Sequence, residues 1–99
     1  MSGRPYLGAV HFDGDPDRLL PAYDRMLERF GIDNLDVHLC VVRETGLTVF
    51  DACPTKAAYD EFTGSEMFRG AVTAAGLPAP RIEGVGDLRV AHLSKEIRP

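Results

Sequence analysis

Short apolar runs of strand length alternate along this chain with longer stretches of helical period. Tyr6 to Phe12 is a largely apolar run bounded by Pro5 and by the turn cluster Asp13-Gly14-Asp15-Pro16, which predicts a first strand. Asp15 and Pro16 read as an N-cap and first helical residue. Leu19, Tyr23, Met26, Leu27 and Phe30 then recur at helical spacing, with Gly31 as the stop. Pro21 is discordant, because inside a helix begun at Asp15 it forfeits a hydrogen bond at a cost of about 3 kcal/mol. Either the first turn is irregular or the regular helix starts near Pro21.

Leu35 to Arg43 and Leu47 to Cys53 are rich in β-branched residues and are joined by Glu44-Thr45-Gly46, a pattern that predicts a hairpin with Gly46 supplying a positive φ. Thr55 can cap a second helix carrying Tyr59 and Phe62. Gly64-Ser65 interrupts it, and Ser65 can cap a continuation through Phe68, Ala71, Val72 and Ala75 that Gly76 and Pro78 close. After Pro80, the segment Arg81 to Leu93 suits a last strand bent near Gly84 and Gly86.

The order β-α-β-β-α-β predicts an α+β, ferredoxin-like antiparallel sheet with both helices on one face, as a single domain over residues 1–99. The other face has no cover within the chain, yet the strands carry apolar residues at both parities, as Val41 beside Val42 and Val49 beside Phe50 show. An exposed apolar sheet face invites aggregation, so a homodimer is expected to bury it.

Composition narrows the partners. Fifteen acidic residues against 11 basic ones leave a net charge of −4, with no basic run, which argues against nucleic acid. The longest uncharged stretch, Gly70 to Pro80, is far short of the roughly 20 apolar residues that cross a bilayer, so no membrane partner is expected. The first residues carry no signal-peptide pattern, and a cytoplasmic protein is expected. Cys40 and Cys53 match no disulfide scaffold, zinc ribbon or CxxC spacing, and they read as free thiols.

Three local patterns carry a family likeness: Leu35-Asp36-Val37-His38; the run from Gly46 through Phe50-Asp51-Ala52-Cys53-Pro54 to Thr55; and Phe68 through Gly76-Leu77-Pro78. With the element order, these make the chain resemble the dimeric α+β barrel superfamily, especially the antibiotic biosynthesis monooxygenase-like small proteins. The resemblance implies two sheets facing each other across a dimer, and a pocket for a small apolar or aromatic ligand. Among the activities it implies are cofactor-independent monooxygenation, isomerisation and cyclisation; other relatives are stress-related proteins without an established activity. It argues against haem degradation, because Cys53 stands where such relatives place a Trp, and this chain has no Trp.

All three histidines fall on expected strands, namely His11, His38 and His92. Strand alternation puts Asp36, His38, Cys40 and Val42 on one face, and likewise Leu47, Val49, Asp51 and Cys53. With a four-residue loop from Glu44 to Leu47, Val42 faces Val49, Cys40 faces Asp51 and His38 faces Cys53, making the two cysteines diagonal neighbours. A loop one residue tighter would part His38 from Asp51 by the thickness of the sheet. The first register is preferred because it groups Val37, Leu39, Val41, Phe50 and Ala52 as an apolar face for the helices. His38 is then the candidate base with Asp51 as its orienter, since imidazole titrates near neutrality and a carboxylate can hold its ring. His11, Val42, Val49, Cys53 and His92 are candidate ligand contacts. No metal site and no bound cofactor are expected. Hydrogen-bonded structural histidines are the plainer alternative, and Tyr23, Met26, Tyr59 and Phe68 read as core. The leading expectation is a cofactor-independent monooxygenase acting on an aromatic or polyketide-like substrate. A non-catalytic ligand-binding accessory protein and an isomerase or cyclase are the alternatives.

Overall fold

Four strands and three helices form in the computed structural model, which describes residues 4–30 and 35–98. They are β1 (Tyr6–Asp13), α1 (Pro16–Phe30), β2 (Val37–Arg43), β3 (Gly46–Cys53), α2 (Lys56–Thr63), α3 (Glu66–Ala75) and β4 (Arg81–Asp87). The strands make one antiparallel sheet in the order β2-β3-β1-β4. This α+β arrangement is consistent with a ferredoxin-like fold.

The local signals explain most boundaries. Asp15 caps α1 through a hydrogen bond from the Asp17 amide to its carboxylate, and the helix runs on through Pro21. Pro21 is exposed, so water can reach the Asp17 carbonyl that loses its helical donor. Gly31 and the side chain of Phe30 lie outside the described residues. Thr55 and Ser65 accept hydrogen bonds from the amides of Ala58 and Phe68, so the second helical stretch divides into α2 and α3. Gly76 ends α3 at φ 88°, a left-handed cap that a side chain would strain.

Two expectations about the strands need correction. Gly46 has the expected positive φ, 158°, but it pairs with Arg43 as the first residue of β3, so the turn consists of Glu44 and Thr45 alone. A glycine is needed at Gly46 because a Cβ there would overlap the Phe12 carbonyl oxygen. The last strand stops at Asp87 rather than continuing to Leu93. Its ladder shifts register between Leu7 and Gly8, and after the Leu88 amide bonds the Pro5 carbonyl at 2.7 Å no further β1 backbone faces it.

The helices cover the face bearing Val10 and Phe12 of β1 and Leu47 and Val49 of β3. These pack with Leu19, Tyr23 and Met26 of α1 and with Phe68, Val72 and Ala75 of α3. A smaller cluster of Tyr6, Cys53 and Tyr59 continues the same face toward the start of β1. There Gly8 and Gly84 sit opposite each other, and a Cβ on either would overlap a tyrosine: Tyr59 above Gly8, Tyr6 above Gly84. The other face is open. Leu39 and Val41 are 42% and 43% exposed, and Leu7, Val37 and Phe50 are half-buried. No helix is long and apolar enough to cross a membrane among the described residues.

Gly8 gives a direct test of this packing. Gly8→Ala should destabilise the protein by about 1–3 kcal/mol, because Tyr59 must move off the sheet. Gly70→Ala, on α3 with open space around it, should stabilise by up to about 1 kcal/mol. Urea unfolding of both variants measures the difference, and a neutral Gly8→Ala would contradict the close packing of α2 on β1.

Candidate functional site

The two-residue turn sets the register that builds the site. His38 lies directly opposite Asp51, Cys40 opposite Val49 and Val42 opposite Leu47. The expected register, with His38 opposite Cys53 and Cys40 opposite Asp51, is therefore displaced by two residues. A shift of two preserves parity, so His38, Cys40, Val49, Asp51 and Cys53 do share a face. That face is the one beneath the helices. The expected helix-packing set of Val37, Leu39, Val41, Phe50 and Ala52 instead lies on the open face. Cys40 and Cys53 are not diagonal neighbours: their positions are four residues apart along the ladder, roughly 13 Å at about 3.3 Å per residue. Both are free thiols.

His38 is held at both nitrogens. Nδ1 lies 2.6 Å from Asp51 Oδ1, and Nε2 lies 2.5 Å from the Tyr23 hydroxyl. Tyr23 comes from α1, and its ring lies parallel to the imidazole, 3° apart in plane. Burial, with the neighbouring Cys40 and Asp51 adding to it, pushes the Tyr23 phenol well above its ordinary range, so it keeps its proton. Nδ1 then carries the ring proton and donates it to the carboxylate. Asp51 is only 5% exposed, and its second oxygen, Oδ2, accepts no hydrogen bond among the described residues.

Beside this chain is a cavity of about 250 Å³ between the sheet and the helices. Val10, Phe12, Met26, Val49, Phe62 and Phe68 supply apolar walls, while His38, Asp51 and Cys53 supply polar atoms. An apolar enclosure with a few convergent polar groups suits a small organic ligand. Burial pushes the Cys53 and Cys40 thiols up, and the Asp51 charge adds to the effect at both, so neither is poised as a thiolate nucleophile.

Of the expected ligand contacts, Val49 and Cys53 join His38 and Asp51 at the cavity. His11, Val42 and His92 do not. His11 has the opposite parity on β1 and lies on the open face, bonded to Thr48 Oγ1 at 3.0 Å and Glu83 Oε1 at 2.9 Å. Val42 sits near the end of edge strand β2 and is 56% exposed. His92 follows β4 in a segment without regular structure, where Leu88, Val90, Ala91, His92 and Leu93 border a second hollow of about 650 Å³ against Leu7, Leu39 and Phe50 of the open face, with His38 also on its lining. Among the described residues no three His, Cys, Asp or Glu side chains converge as a metal site. Tyr23 is the member that the sequence did not single out. Its position in an apolar helical stripe reads as packing, although a buried phenol usually finds a polar partner, and that was the available signal.

On the open face, Asp13 at the end of β1 accepts two hydrogen bonds from the Arg81 guanidinium, at 2.8 and 2.9 Å, with Arg43 at 3.5 Å. Chiefly through the Arg81 bonds, the carboxyl is held down at about 2, below the usual carboxylate value of about 3.9. A depressed folded-state value contributes stability that is present above the unfolded value and lost as pH falls through the folded one. The stability gap between wild type and Asp13→Asn should therefore be level near neutrality and close between about pH 4 and about pH 2. Urea midpoints against pH measure it, and a gap that widens on acidification would contradict the pairing.

Against known proteins, the chain matches no protein-family model, no curated protein and no solved structure.

Proposed function

We propose that this protein is a small-molecule enzyme working without a bound cofactor on an aromatic or polyketide-like substrate, as a homodimer of the dimeric α+β barrel type. The observation that carries the reading is the His38 to Asp51 hydrogen bond, 2.6 Å long, at the wall of an apolar cavity. A base in such a place can take a proton from a weakly acidic carbon or hydroxyl. Apolar walls strengthen the electrostatic interactions that such a transfer uses.

The reaction that fits is oxygenation of a methylene activated by flanking conjugated rings. Proton removal yields a delocalised carbanion that dioxygen oxidises. The methylene becomes a carbonyl, with one oxygen atom entering the product and the other leaving as water with the two methylene hydrogens. No external reductant is consumed. An isomerase or cyclase would use the same proton removal and turn over without oxygen.

One observation favours a second reading, a binding protein without catalysis. The Tyr23 hydroxyl already occupies His38 Nε2, the nitrogen on which an incoming proton would have to land. Under that reading the ligand is recovered unchanged after long incubation.

The homodimer is supported by the open face, where Leu39 and Val41 are exposed beside half-buried Leu7, Val37 and Phe50 with no helix over them. A second copy packing sheet to sheet would cover these residues. Sedimentation equilibrium at micromolar concentration should show a dimer, and a monomer would overturn this part of the proposal.

Oxygen uptake with a panel of anthrones and quinols tests the reaction. His38→Ala should lower the rate by about 100-fold or more, the usual worth of a positioned base. Uptake equal to wild type would remove the dyad from the mechanism, and turnover undiminished under anaerobic conditions would replace oxygenation by isomerisation or cyclisation.

A further inference from the structure

The hydrogen bonds around His38 and Asp51 bear on which atom meets the ligand. Both imidazole nitrogens are engaged, Nδ1 by Asp51 Oδ1 and Nε2 by Tyr23. Asp51 has one oxygen left over. No buried side-chain nitrogen or oxygen lacks a partner among the described residues, so Oδ2, which accepts no hydrogen bond among them, is not sealed inside the protein. Since the Asp51 side chain is 7% exposed and borders the cavity, that oxygen opens to it.

We propose that Asp51 Oδ2 is the atom that binds the ligand, that His38 and Tyr23 are positioning residues behind it, and that the ligand is an uncharged fused-ring hydroxy compound presenting its hydroxyl to this oxygen. The inference rests on the cavity being a small-molecule site, as the proposed function also requires. A carboxylate oxygen carries negative charge and only accepts hydrogen bonds, so it selects donors over acids. Size sets the skeleton: an engineered cavity of about 150 Å³ holds benzene, and about 250 Å³ leaves room for two fused rings. Val10, Phe12, Phe62 and Phe68 face the rings with apolar surface.

Binding of two isosteric probes, 2-naphthol and 2-methylnaphthalene, and of the anion 2-naphthoate is measured by titration calorimetry on the full chain. Naphthol should bind about tenfold or more tightly than methylnaphthalene, the scale of a hydrogen bond to a charged acceptor, and naphthoate should bind more weakly than either. In Asp51→Asn the introduced carbonyl accepts the hydrogen bond from His38 Nδ1, which turns the amide NH2 into the cavity. The naphthol preference should then vanish, and 2-naphthaldehyde, an acceptor, should gain. Tyr23→Phe tests the positioning role through the ratio of naphthol to methylnaphthalene affinity, which should fall and which a general loss of stability does not move. Should Asp51→Asn fail to fold, the wild type still decides through the absorption band of bound naphthol, which shifts to the red when its hydroxyl donates to a carboxylate. Equal binding of naphthol and methylnaphthalene, tighter binding of naphthoate, a preference that survives Asp51→Asn, an unshifted band, or no binding of any probe overturns the proposal. Turnover is not read here, so a protein that binds naphthol as described but consumes no oxygen overturns the proposed reaction and leaves this contact standing.

Discussion

A carboxylate placed in the middle of a sheet and roofed by helices must be answered by a donor, and much of this molecule is arranged around that requirement. Asp51 is 5% exposed among apolar neighbours, where an unpaired ion would cost several kcal/mol. The donor is His38 Nδ1, which reaches it only because the strand register sets the two residues directly opposite each other. The imidazole in turn needs a partner for Nε2, and Tyr23 supplies it from α1. One buried charge thus ties β3 to β2 and β2 to the first helix.

The same constraint shapes the space beside it. At one end of the sheet, Gly8 and Gly84 let Tyr59 and Tyr6 lie almost on the backbone, so α2 sits close to β1. Nearer the middle, Phe12, Met26 and Phe68 are bulky and leave a hollow that their side chains border without filling. Native interiors pack at crystal-like density, and an apolar hollow of this volume beside a buried carboxylate is the space that the proposed ligand site would use. The polar network of the open face does a different task. Asp13, Arg43 and Arg81 join the hairpin turn to the ends of β1 and β4, and the bond from His11 to Glu83 ties β1 to β4.

The elements were largely legible in the sequence because their signals are local. Thr55, Ser65 and Gly76 cap helices through atoms a few residues away, and Gly64-Ser65 marks the break between α2 and α3 for the same reason. The site was legible by halves. Period-two alternation places His38 and Asp51 on one face in any register of the right parity, so their proximity could be read without knowing the turn. Which face the helices would cover could not, since Val37, Leu39, Val41 and Phe50 make as apolar a surface as Leu47 and Val49 do.

Sequence alone therefore determined the elements, the α+β class and the pairing of a histidine strand with an aspartate strand, since capping and alternation act over a few residues. Tertiary structure decided the rest. It placed the helices over His38 and Asp51, brought Tyr23 across from α1, sent His11 to the far face and set Asp51 at the cavity wall. Each of these depends on contacts between residues distant in the chain, where the burial of one charge and the room above one glycine outweigh any local preference.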